Sequence, residues 1–239
     1  MPRRQVRSEI AVRLKLFGAA VIGFAGMAAG YGVALAQAPA PPTPEQLHRA
    51  VANLHGDRIW RPSSYDELTV EQKAFVHSIL SGPRRGIDGA LGIMMVSPVL
   101  GDLAQKAIAY ARFNPTVPPK LNELAILIGA RAWSAQYAWY AHHRAALNAG
   151  LPADVIDAIQ EGRRPAAMSP DVEAVYNFST ELLTTKQVSD ATLRTAKATL
   201  GGDKGVVDLV GTLGFYQFAA MLMNVDRLPL PPGVKPELN

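Results

Sequence analysis

Between Glu45 and Val225 the apolar residues recur with a period near 3.6, in segments set off by proline and glycine, and no stretch alternates convincingly with a period of two. Such a pattern buries one stripe of a helix and leaves no strand with a face to hide, so the chain is expected to be all-α. The segments run from Glu45 to Leu54, Thr69 to Leu80, Gly101 to Phe113, Pro119 to Ala149, Ala153 to Glu161, Pro170 to Thr185, Ser189 to Leu200 and Lys204 to Val225. Their edges carry start and stop chemistry: Ser97-Pro98 and Pro118-Pro119 open helices, Gly150 closes one, and Ser189-Asp190 can cap another. Two segments, around Leu121 to Ala132 and Val206 to Met223, are apolar nearly all round and are therefore expected to be buried, as a bundle centre or a subunit interface.

Ahead of this domain, Arg3, Arg4, Arg7, Arg13 and Lys15 stand against the single acid Glu9, and Leu16 to Ala36 carries no charge. The order of basic region, apolar region and small residues at Ala34-Leu35-Ala36 is that of a signal peptide, with residues 1–36 removed before Gln37. That predicts a periplasmic or secreted domain with no membrane attachment. An uncleaved anchor stays open as the alternative, because an uncharged run of 21 residues is long enough to span a bilayer. Residues 37–44 are proline-rich and read as a spacer, which leaves 45–239 as the helical domain.

Losing residues 1–36 takes five basic residues and one acidic residue from totals of 24 and 20, which leaves 19 of each sign. A domain without net charge has no field to gather nucleic acid, and no run interleaves arginine with aromatic residues, so nucleic acid is set aside as a partner. The sequence holds no cysteine, which removes disulfides, thiolate nucleophiles, cysteine-ligated zinc and iron–sulfur clusters. The adjacent His142 and His143 lie about 100° apart on a helix rather than at a metal-ligating i, i+4 spacing, so no metal is expected.

The stretch from Leu121 to Gly150, with Glu123, Ala135, Ala138 and His142 in it, resembles the core of the carboxymuconolactone decarboxylase and alkylhydroperoxidase D family. The resemblance extends from about Tyr65 to Gly233 through Leu80-Ser-Gly-Pro-Arg84, Ala111-Arg-Phe113, Ala149-Gly-Leu-Pro152, Phe215-Tyr216 and Leu228-Pro229. In the peroxidase branch the glutamate is followed at set offsets by two cysteines and a histidine; here those offsets fall on Ala135, Ala138 and His142. The acid and the imidazole remain and both thiols are gone, so the resemblance is to the decarboxylase branch, which uses no cofactor. It implies a family-type helical bundle assembled as a homo-trimer or hexamer.

One straight helix would hold Glu123 and His142 about 28 Å apart and about 100° around the axis, so they meet only if the helix breaks between them. Ser134 offers a cap for that break, with a second helix running from Ala135 to Ala149. On it Ala135, Ala138 and His142 share a face, the two alanines leaving room for a ligand and Trp139 walling it. His143 points away, to solvent. The structural alternatives are an ion pair from Glu123 to Arg112 or Arg131, a hydrogen-bonded core histidine at His142, and packing roles for Tyr216 and Asn224. Arg84, Arg85 and Arg112 are candidates to clamp a carboxylate bidentately.

The reading that follows is a lyase or isomerase acting on a small lactone or organic acid. His142 moves the proton, Glu123 orients it, and Arg84, Arg112, Trp139, Tyr216, Ala135 and Ala138 shape the binding site. A non-catalytic helical scaffold is the rival. A thiol-based peroxidase fails for want of a thiolate.

Overall fold

The computed structural model describes residues 40–113 and 115–238; the expected signal segment, 1–36, and the first part of the expected spacer lie outside them. Every regular element among the described residues is helical: α1 Pro44–Ala52, α2 Val70–Leu80, α3 Ala90–Met94, α4 Pro98–Phe113, α5 Pro119–Ala132, α6 Gln136–Asn148, α7 Ala153–Gln160, α8 Pro170–Thr185, α9 Asp190–Leu200 and α10 Asp203–Asp226.

Local chemistry sets the helix starts. Thr43 and Thr69 each accept from the backbone N–H three residues on, and Gln46 and Gln72 return the bond, closing two capping boxes. The first box places helical backbone at Pro44, inside the expected spacer. Ser189 caps α9 by accepting from the Thr192 N–H, as its position predicts. Proline at the first position starts α4 one turn earlier than the apolar period does, at Pro98. Helix α3 is unanticipated, since five residues give the period nothing to repeat over.

The bundle is organised around α5. All ten residues from Leu121 to Ala130 are buried, and α5 packs against α6, α7, α8 and α10. Two buried polar residues lock this centre: Asn122 donates to the Ala111 carbonyl at 3.0 Å and accepts from the Thr212 hydroxyl at 2.8 Å, tying α5 to α4 and α10.

Helix α10 is covered on part of its surface. It is long and apolar enough to cross a membrane, yet it packs inside the bundle against α3, α4, α5, α6 and α9. Leu209, Leu213, Ala220 and Met223 face inward, but Val207, Val210, Met221 and Val225 stay exposed. Only one face is covered because the neighbouring helices reach only that side.

The chain finishes as an irregular segment that returns to α6. The Gln136 amide bonds the Leu238 carbonyl, its oxygen accepts from the Glu237 and Leu238 N–H groups at 3.1 Å each, and Gln160 donates to the Glu237 carbonyl at 3.1 Å.

Candidate functional site

The break between α5 and α6 occurs where it was expected, by a different device. Ser134 provides no side-chain cap, and Ala135 holds the cap position without one. Instead Ser134 adopts left-handed backbone, φ 46°, and the Ala135 N–H returns to the Ala130 carbonyl at 2.9 Å. Helix α10 steadies the turn: Asn224 donates to the Trp133 carbonyl at 2.7 Å, and the Trp133 indole donates to Gln217 at 3.0 Å.

Folding α6 back along α5 brings together two residues 19 positions apart. His142 Nδ1 lies 2.7 Å from Glu123 Oε2, and the two residues are 6% and 8% exposed, so the bond is shielded from water. Neither arginine proposed as a partner for Glu123 takes it. Arg131 donates from Nε to the Gln160 carbonyl at 3.0 Å, and Arg112 lies in the cavity wall described next. A carboxylate on Nδ1 fixes the proton there, which leaves Nε2 of the neutral ring as the lone-pair nitrogen. Among the described residues Nε2 has no protein partner within hydrogen-bond distance.

His142 lines a cavity of about 550 Å³. The loop before α3 contributes Arg84, Arg85 and Asp88, α4 contributes Arg112 and Phe113, α6 contributes Tyr137, Ala138 and Ala141, and α10 contributes Tyr216 and Met223. Arg84 and Arg112 both lie over the Phe113 ring, at 5.7 and 5.4 Å from its centroid. Burial weakens Arg84's hold on its proton; Tyr216 opposes that shift and Arg112 adds to it. Nε and Nη2 of Arg84 are buried without a partner in the protein.

Tyr216 meets His142 edge-on, ring centroids 4.9 Å apart and planes at 87°. Its hydroxyl is buried and has no partner. Burial pushes the phenol up to about 12, with Arg112 pulling it down, Glu123 raising it and Arg84 lowering it.

The fold brings some of the sequence-derived candidates together and not others. Arg84, Arg112, Ala138, His142 and Tyr216 converge on the cavity, with Glu123 directly behind the imidazole. Ala135 and Trp139 do not line it. Ala135 has extended backbone, φ −82° and ψ 90°, so α6 takes its phase from Gln136 and the assumed face loses its first member. Trp139 follows Ala138 by one residue and so projects about 100° away. It is 1% exposed, and its indole donates to Glu237 Oε2 at 2.7 Å. His143 is not turned to open solvent either, since Nδ1 sits 2.9 Å from the same Glu237 oxygen. Asn224 bonds the Trp133 carbonyl in the turn, outside the cavity.

Tyr137 and Ala141, four residues apart, form the row of α6 next to Ala138 and His142, so the cavity takes an arc of about 140° of the helix, wider than the single face counted from the sequence. Asp88, Phe113 and Met223 had no comparable signal, because tertiary packing alone brings their segments to the cavity. Comparison of the chain with protein-family profiles and with curated proteins gives no significant match.

Proposed function

We propose that this protein is a carboxymuconolactone decarboxylase-like lyase or isomerase, which moves a proton on a small lactone or carboxylic acid without a cofactor. One observation carries the reading: a buried carboxylate–imidazole bond whose free imidazole nitrogen belongs to a cavity wall that also presents two arginines. Glu123 orients the ring and stabilises the imidazolium that forms, Nε2 of His142 takes or delivers the proton, and Arg84 and Arg112 hold the ligand carboxylate. A scaffold protein would have no need for these groups to converge on one cavity. Thiol-based peroxide reduction is ruled out by residue inventory.

The test incubates the purified domain with small lactones and 2-oxo acids in deuterated water, following carbon dioxide and carbon-bound deuterium by mass spectrometry. Turnover that disappears in His142→Gln supports the proposal. Turnover that survives there sinks it.

The proposal extends to assembly as a symmetric homo-oligomer, a trimer or hexamer by the resemblance. Support comes from Val99, Leu100 and Leu103 on α4 and Val207, Val210 and Val225 on α10, all exposed apolar side chains that a second copy would cover. A monomeric mass by light scattering at micromolar concentration contradicts it.

A further inference from the structure

Among the described residues five buried side-chain polar atoms lack a hydrogen-bond partner, and three of them, Arg84 Nε, Arg84 Nη2 and Tyr216 Oη, belong to two residues that line this one cavity. A buried donor left unpaired costs about 1–3 kcal/mol, so such a concentration calls for an acceptor that the protein itself does not provide. The two guanidinium atoms can only donate. The phenol can donate or accept, but it holds its proton at neutral pH, since burial raises it to about 12. What all three lack in common is an acceptor oxygen. Arg112 and Arg84 favour negative charge at this place, while burial and Glu123 oppose it.

We infer that the Tyr216 hydroxyl is the hydrogen-bond donor to an oxyanion that forms on the substrate carbonyl while His142 moves the proton. The inference rests on the proton-transfer reading above and names a group that the reading leaves idle. Tyr216 lies edge-on to His142 with ring centroids 4.9 Å apart, so a small molecule beside the imidazole is also beside the phenol. In the step itself, the C–H bond next to the carbonyl breaks and its proton goes to His142 Nε2. The electron pair of that bond becomes a carbon–carbon double bond, and the carbonyl π pair moves onto oxygen. The resulting enolate oxygen accepts from Tyr216, whose own proton stays in place. Reversal returns the proton to carbon, so no oxidant or further reactant is needed. A donor aimed at charge that exists only during reaction lowers the barrier more than it tightens ground-state binding.

The test uses 4-nitrophenol, whose anion absorbs visibly and imitates an enolate oxygen. The parent should bind it preferentially as the anion, so that the bound phenol ionises at lower pH than the free one. Tyr216→Phe removes one oxygen from a site that has no partner to lose, so it should fold with an unchanged thermal midpoint. It should weaken the preference for anion over neutral phenol about tenfold or more, a loss of the size given by a charge-assisted hydrogen bond. Equal ionisation in parent and variant overturns the inference, as does a parent that prefers neutral phenol or binds neither form at millimolar concentration. The two readings fail separately. If the nitrophenol result holds while the parent catalyses no deuterium exchange, the oxyanion site stands and proton transfer falls. If exchange depends on His142 while Tyr216→Phe ionises the bound phenol as the parent does, only the role of Tyr216 falls.

Discussion

Among the described residues two acid–base pairs of the same length are buried, and their surroundings differ. Arg61 Nη2 and Asp226 Oδ2 lie 2.7 Å apart with side chains 8% and 0% exposed; His142 Nδ1 and Glu123 Oε2 are also 2.7 Å apart, at 7% and 11%. Around Asp226 the carboxylate is used up, since Oδ1 accepts the Ile59 N–H at 2.8 Å while Arg58 holds the neighbouring Val225 carbonyl at 2.8 Å. That pair ties the loop after α1 to the end of α10 and stands outside the cavity that His142 lines. Around His142 one ring nitrogen is unspent and a cavity of about 550 Å³ lies beside it. Burial of a charge pair therefore does not by itself indicate function. Function needs a titratable member with a free atom and space in front of it.

Substitutions should separate the two pairs. The largest effect is expected from His142→Gln, which keeps a donor for Glu123 but removes the proton carrier. Turnover in the deuterium assay should fall by about 10² to 10⁴ with the thermal midpoint nearly unchanged. Next, Asp226→Asn leaves the Arg61 guanidinium buried beside a neutral group, and urea denaturation should show a loss of about 3–5 kcal/mol. Turnover per folded molecule should stay within two-fold of the parent; a collapse of turnover here would erase the distinction between the pairs.

A smaller change tests what holds the working helix from behind. Glu237→Ala removes the acceptor for Trp139 and His143 together and should cost roughly 1–3 kcal/mol in the same denaturation experiment, through the indole N–H left buried without a partner.

The smallest effect concerns acid. Burial alone would raise the Asp208 carboxyl, but hydrogen bonds from Lys204 and from the Thr116 backbone and hydroxyl outweigh it and hold the group at about 2, below its ordinary 3.8. A depressed folded value contributes stability that is complete above the unfolded value and fades as pH falls through the folded one. The parent should therefore lose part of its thermal stability between about pH 4 and pH 2, and Asp208→Asn should flatten that part of the profile.

The sequence reveals these regions unequally. Helices α8 and α9 can be read from apolar spacing and caps, because each is long enough for the period to repeat and Ser189 sits where a cap belongs. The short α3 leaves no such trace. Periodicity alone would separate Glu123 from His142, and it is the resemblance that pairs them. Ala135 and Trp139 are misplaced for separate reasons: Ala135 has extended backbone and belongs to the turn, while Trp139, one residue past Ala138, lies on the flank of α6 opposite Tyr137. Glu237 is beyond any local signal, since its partners Trp139 and His143 lie 98 and 94 residues back along the chain.

The left-handed turn at Ser134 also makes the interval between the acid and the imidazole a ruler with a single permitted length. One residue gained or lost in α5 after Glu123, or in α6 before His142, turns one partner by about 100° and slides it about 1.5 Å along its axis. No choice of side chain repairs that error, because the displaced group then faces a different neighbour. Homologues that retain this chemistry should therefore keep the 19-residue separation unchanged while loops elsewhere grow and shrink. A chain carrying both residue types at any other separation should be read as having given the pair up, however similar the rest of its helices.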